Sequence, residues 1–133
     1  MTAQTLIKRA ALAGLTALTA VAMIAPTGVA AKDGEVIRTG ACTNRSDWKL
    51  KLSPENGRIE VQFEVDTPRV GQVWRVRLFQ NGNLTFQGTR TTQAPSGSFE
   101  LRVLRSNTAG TDTFRGRAVN LTTGEVCQGQ ASI

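Results

Sequence analysis

Arg58-Ile59-Glu60-Val61-Gln62-Phe63-Glu64-Val65 decides the fold, because apolar and polar residues alternate through it without a break. A period of two belongs to a strand, whose successive side chains point to opposite faces. Ile59, Val61, Phe63 and Val65 are expected inward, with Glu60, Gln62 and Glu64 in water. One face of the sheet is therefore covered and the other is solvated, as in antiparallel architectures.

The same period recurs on both sides. Upstream, Asp47 to Leu52 sets Trp48, Leu50 and Leu52 against Lys49 and Lys51, and Pro54-Glu55-Asn56-Gly57 makes a turn. Downstream, Thr67-Pro68 breaks the run, and Val73 to Phe79 places Trp74, Val76 and Leu78 opposite Arg75 and Arg77. Asn81-Gly82 tolerates the positive φ of a tight hairpin turn, so Leu84 to Arg90 is the partner strand. After the loop Ala94-Pro95-Ser96-Gly97, Phe99, Leu101 and Val103 alternate with Glu100 and Arg102. The chain turns at Asn107 to Gly110, runs on with Phe114, Gly116 and Ala118 against Arg115 and Arg117, turns at Thr122-Thr123-Gly124, and closes with Glu125 to Ile133. No segment after residue 30 carries the helical period. The pattern predicts an all-β, antiparallel, seven-stranded β-sandwich over residues 42–133, with Trp48, Phe63, Trp74, Phe99 and Phe114 as core aromatics. Residues 31–41 are polar apart from Val36 and Ile37 and read as a flexible lead-in, with room for a short edge strand.

Residues 1–30 read differently. Lys8 and Arg9 precede an uncharged apolar stretch from Ala10 to Ala25, and Pro26 to Ala31 supplies small residues for a peptidase. That is the three-part form of a helical secretory signal, with cleavage expected near Ala30. The apolar stretch is shorter than the roughly 20 residues that span a bilayer, so no membrane anchor is expected after cleavage. The remainder suffices for one modest domain, expected to be a secreted monomer.

Cys42 and Cys127 are the only cysteines. Outside the cytoplasm two distant thiols pair, and their spacing has nothing of the Cys-x-x-Cys arrangement that activates a thiol. A disulfide closing nearly the whole domain is expected. The chain has no His and no Tyr, which excludes imidazole bases, His-ligated zinc and Ser-His triads. Glu60 and Glu64, four positions apart on one strand, stand about 13 Å from each other, too far for a glycosidase pair. Neither catalytic nor metal-ligating nor cofactor-binding residues are assigned.

Phe114 to Asn120 followed by Thr123-Gly124-Glu125-Val126-Cys127 resembles the last hairpin of immunoglobulin-like and fibronectin type III modules, and Trp74 sits where such folds keep a core tryptophan. As a whole, the chain is similar to small exported immunoglobulin-like proteins of actinobacteria, a group whose resemblance implies a fold and no particular activity. Two features depart from antibody-type domains: the cysteines lie near the ends of the domain, and without Tyr there is no tyrosine corner.

In such a sandwich the strands carrying Arg75 and Arg77 and those carrying Arg115 and Arg117 are neighbours. Four guanidiniums would then share one exposed face, with Glu60 and Glu64 on the opposite sheet. Like charges across a strand pair oppose folding by up to ~1 kcal/mol each unless a partner offsets them. The face is thus a candidate dock for an anionic envelope polymer or an acidic secreted or surface protein. The competing reading is a solubilising surface that suppresses sheet stacking. Only Phe79 is interleaved with the arginines, which argues against nucleic acid. A carbohydrate-binding module built on Trp48 and Trp74, and an enzyme inhibitor presenting the loop Thr91 to Gly97, are the alternatives; both tryptophans fall in phase with inward aliphatics, which favours a core role. The overall expectation is a secreted, non-enzymatic binding module.

Overall fold

The computed structural model describes residues 33–133, and the expected export signal at residues 1–30 lies outside them. Within the described residues the chain forms eight strands and no helix: β1 (Val36–Ala41), β2 (Asp47–Glu55), β3 (Arg58–Asp66), β4 (Val73–Gln80), β5 (Asn83–Thr91), β6 (Ser98–Ser106), β7 (Thr113–Asn120) and β8 (Val126–Ser132). They make two antiparallel four-stranded sheets, ordered β1-β2-β3-β6 and β5-β4-β7-β8.

The strand count corrects the expected seven. The additional strand, β1, occupies the stretch read as a lead-in and pairs with β2 from Val36↔Leu52 to Ala41↔Asp47. Its alternation is weak because an edge strand buries little: Val36 and Gly40 are half-buried, while Arg38, in the same phase, stays exposed. Backbone pairing, which leaves no side-chain signature, defines it.

Hairpin chemistry is where the Asn-Gly pairs place it. Asn56 and Gly57 have φ of 49° and 77°, and Asn81 and Gly82 have φ of 50° and 82°, so each pair turns a two-residue hairpin of the type that matches strand twist. In β3 the strict alternation gives a buried row of Ile59, Val61, Phe63 and Val65. These pack with Leu50, Leu52, Trp74, Val76, Leu78, Phe99, Leu101, Phe114 and Ala118 from both sheets. Trp74 and Phe99 meet with ring centroids 6.1 Å apart. Of the expected core aromatics, Phe63, Trp74, Phe99 and Phe114 are buried, whereas Trp48 is half-buried. Trp48 does face inward, but on the outer part of the sandwich, where its ring fills the space left by Gly40 of β1 and Gly129 of β8.

The disulfide Cys42–Cys127 joins the end of β1 to β8, hence one sheet to the other, across a separation of 85 residues. Beside it Thr43 N–H donates to Val126 O at 2.9 Å, and the buried Glu125 carboxylate accepts from Asn44 N–H, Ser46 N–H and Ser46 Oγ at 2.9, 3.0 and 2.7 Å. At the opposite end of the sandwich, buried Asp112 accepts from Gln80 Nε2 at 3.1 Å, Asn81 Nδ2 at 2.9 Å, Thr108 N–H at 2.9 Å and the Thr108 hydroxyl. Burial pushes this carboxyl up, but the donors of Thr108, Gln80 and Asn81 outweigh it and its pKa is net lowered.

A folded-state pKa below the unfolded value means stability that is complete above about pH 4 and lost as pH falls through the folded pKa. Asp112→Asn, which replaces one acceptor oxygen by a donor facing other donors, is expected to cost about 1.5–3 kcal/mol at neutral pH. It should also flatten the acid limb of stability. Urea midpoints at pH 7 and pH 3 check this, and an unchanged difference between the two would remove Asp112 as its source.

Candidate anion-docking face

The face is built by register. Trp74, Val76 and Leu78 are pulled inward by the core, so Arg75, Arg77 and Phe79 must point outward from β4; Phe114, Gly116 and Ala118 do the same for Arg115 and Arg117 of β7. Because β4 and β7 are paired, Arg77 lies opposite Arg117, Phe79 opposite Arg115 and Arg75 opposite Val119. The four expected arginines therefore share the outer face of one sheet.

The flanking strands complete it. On β5, Thr89 stands beside Arg75 and Gln87 beside Arg77; on β8, Gln130 stands beside Arg115 and Gln128 beside Arg117. No strand of this sheet contains Asp or Glu. Glu125 and Asp112, just outside β8 and β7, are buried and committed to the hydrogen bonds above. Among the described residues none of the four guanidiniums forms an ion pair.

Local contacts order the arginines without neutralising them. Arg115 lies over the Phe79 ring, 4.4 Å from its centroid, and Arg117 Nη1 donates to Gln128 Oε1 at 3.0 Å. Arg77 Nε and Arg115 Nε are shielded from solvent and have no acceptor. An unpartnered, solvent-shielded donor costs on the order of 1–3 kcal/mol. A cleft of about 130 Å³ opens between Arg75, Arg77 and Arg117, walled by Val119 and Leu121, and one of about 70 Å³ lies between Phe79, Arg115 and Gln130.

The other sheet behaves differently. Lys49 pairs with Glu64 at 3.8 Å, Lys51 with Glu35 at 3.1 Å, and Arg102 with Glu100 at 3.1 Å and Glu60 at 3.8 Å. Its outward strand positions carry Lys49, Lys51, Arg58 and Arg102 against Asp47, Glu55, Glu60, Glu64, Asp66 and Glu100, four positive against six negative. Among the described residues the two sheets are electrically distinct, and the positive face is the one whose guanidiniums form no ion pair.

The sequence did not reveal the amide and hydroxyl flanks or the Phe79–Arg115 stack. Parity exposes Gln128 and Gln130, but only pairing with β7 puts them beside arginines. A second basic hollow, of about 320 Å³, lies where the loops at the disulfide end converge, with Arg45 and Arg69 at its rim and Glu125 in its lining. Glu125 gives that hollow mixed charge, unlike the sheet face. Comparison with protein-family models, with curated proteins and with solved structures finds no match to this chain.

Proposed function

We propose that this chain is an exported, non-catalytic binding module of immunoglobulin-like type that docks an anionic partner on the outer face of β5-β4-β7-β8. The observation that carries the reading is a carboxylate-free sheet face holding Arg75, Arg77, Arg115 and Arg117, two of them with solvent-shielded Nε donors that lack an acceptor. A face of that kind is stabilised when oxyanions arrive, since each guanidinium offers two parallel hydrogen bonds to one anion. The strand order supports the immunoglobulin-like reading: with β2 to β8 taken as A, B, C, C′, E, F and G, the sheets become ABE and C′CFG, lacking only D. The disulfide is consistent with an extracellular location. A sugar platform is less well supported, because Trp74 is buried and Trp48 is packed against Gly40 and Gly129.

The test is retention of the oxidised domain on a phosphate-bearing resin. Replacing Arg75, Arg77, Arg115 and Arg117 by Gln should move elution to markedly lower salt while leaving the urea midpoint unchanged or raised, since like-charge repulsion is relieved. Elution at the same salt would remove the face from the binding reaction.

A further inference from the structure

We infer that the partner of the arginine face is a polyol-phosphate chain, a flexible polymer in which phosphodiesters alternate with hydroxyl-bearing carbons. The inference rests on the docking reading above and adds the chemistry of the ligand.

The first support is the division of labour across the sheet. The two central strands carry the charges, and the two edge strands carry neutral groups beside each one: Thr89 by Arg75, Gln87 by Arg77, Gln130 by Arg115 and Gln128 by Arg117. A ligand lying along β4 and β7 places its oxyanions on guanidiniums and its flanks against amides and a hydroxyl. Amides and hydroxyls both donate and accept, which suits alcohols on the ligand.

Spacing agrees. Arg75 and Arg77, like Arg115 and Arg117, are two residues apart on a strand, about 6.7 Å. In a three-carbon polyol phosphate, six single bonds separate successive phosphorus atoms, about 7 Å at the ~1.2 Å that each bond adds to an extended chain. Successive phosphates can therefore meet successive arginines. The Nε donors of Arg77 and Arg115 have no acceptor and are shielded from solvent, so a phosphate oxygen supplies the missing acceptor only once these side chains turn outward on binding.

Other polyanions fit less well. An acidic polypeptide laid across a sheet face, away from a strand edge, would cover its own backbone N–H and C=O groups without a ladder to satisfy them. A single-stranded nucleic acid needs aromatic surfaces for its bases, and Phe79, the only aromatic in the outward phase of β4 and β7, is already covered by the Arg115 guanidinium.

The experiment measures binding of the oxidised domain to poly(glycerol phosphate), with polyglutamate, inorganic polyphosphate and single-stranded DNA as comparisons, over a series of salt concentrations. For contact with four phosphates the slope of log K against log salt should be about −2.8, on the scale found for flexible single strands. Polyglutamate should bind at least ~10-fold more weakly. Changing the four arginines to Lys keeps the charge and should weaken poly(glycerol phosphate) about 10-fold. The double variant Gln87→Ala, Gln130→Ala, which leaves the Arg117 bond to Gln128 in place, should lose about 5-fold on poly(glycerol phosphate) and nothing on polyphosphate. Equal binding of all four polymers, tightest binding of DNA, or a Lys variant that binds unchanged would overturn the polyol-phosphate assignment and leave the docking reading standing. No binding to any of the polymers would overturn both. Tryptophan emission and the urea midpoint verify that each variant is folded.

Discussion

The variant Cys42→Ala, Cys127→Ala is expected to be about 4–5 kcal/mol less stable than the oxidised protein, the largest single effect of a covalent change in this fold. The bridge closes a loop whose ends are 85 residues apart, so in the unfolded chain it removes far more conformational freedom than a local crosslink does. A domain of this size has a total stability of order 5–15 kcal/mol, so the loss is about a third to nearly all of it. In urea, with a slope of about 1.5 kcal/mol/M, the midpoint should fall by about 3 M.

The location of the bridge adds a local consequence. Cys42 follows β1, an edge strand that buries little apolar surface and pairs with β2 alone, and the clasp to β8 otherwise rests on Thr43 with Val126 and on the Glu125 carboxylate with Asn44 and Ser46. Amides of β1 should therefore lose hydrogen-exchange protection on reduction before those of β3, whose neighbours on both sides are strands. A midpoint shift worth less than about 1 kcal/mol would mean that the polar clasp already holds the two sheets together, and the entropic account would fail.

How much of this was legible depends on whether a feature is local. The alternation in β3, β4 and β7 is a property of consecutive residues, and it gave the inward rows and the outward arginines together. Side-chain phase, however, fixes direction and not depth. Trp48 faces inward as expected, yet only the pairing of β1 and the approach of β8 decide that its ring lies against Gly40 and Gly129 and keeps partial contact with water. Strand β1 was legible only as room for a short edge strand, because its stabilisation comes from backbone hydrogen bonds at an edge. Asp112 and Glu125 escaped because buried carboxylates at the ends of a sandwich are satisfied by loops distant in sequence: Asp112 draws donors from Gln80 and Asn81, Glu125 from Asn44 and Ser46. The glutamines beside the arginines escaped for the same reason, since a flank belongs to a sheet and not to a segment.

Phe63→Ala should lose about 3–5 kcal/mol, the upper range for deleting a buried aromatic ring. Phe63 is one of the two middle residues of the inward row of β3 and is fully buried, and its ring lies directly on the backbone of Gly116 in the facing sheet. A Cβ at Gly116 would sit 2.8 Å from Cγ and Cδ2 of that ring, closer than such atoms approach, and strands on either side hold both partners in place. Gly116→Ala should therefore cost about 1–3 kcal/mol by overpacking. The two positions are coupled: Phe63→Leu in the Gly116→Ala background should cost less than the sum of the single changes, by an interaction of about 0.5–3 kcal/mol. Gly129 is the control. A Cβ there would come within 2.2 Å of the Trp48 ring, a tighter approach than at Gly116, but it meets the far edge of a half-buried side chain, whereas the Phe63 ring is fully buried. Gly129→Ala should thus be milder than Gly116→Ala and should shift tryptophan emission to longer wavelength. If the order of the two costs is reversed, freedom of the facing ring is not what sets the penalty, and backbone separation between the sheets must be the controlling quantity instead.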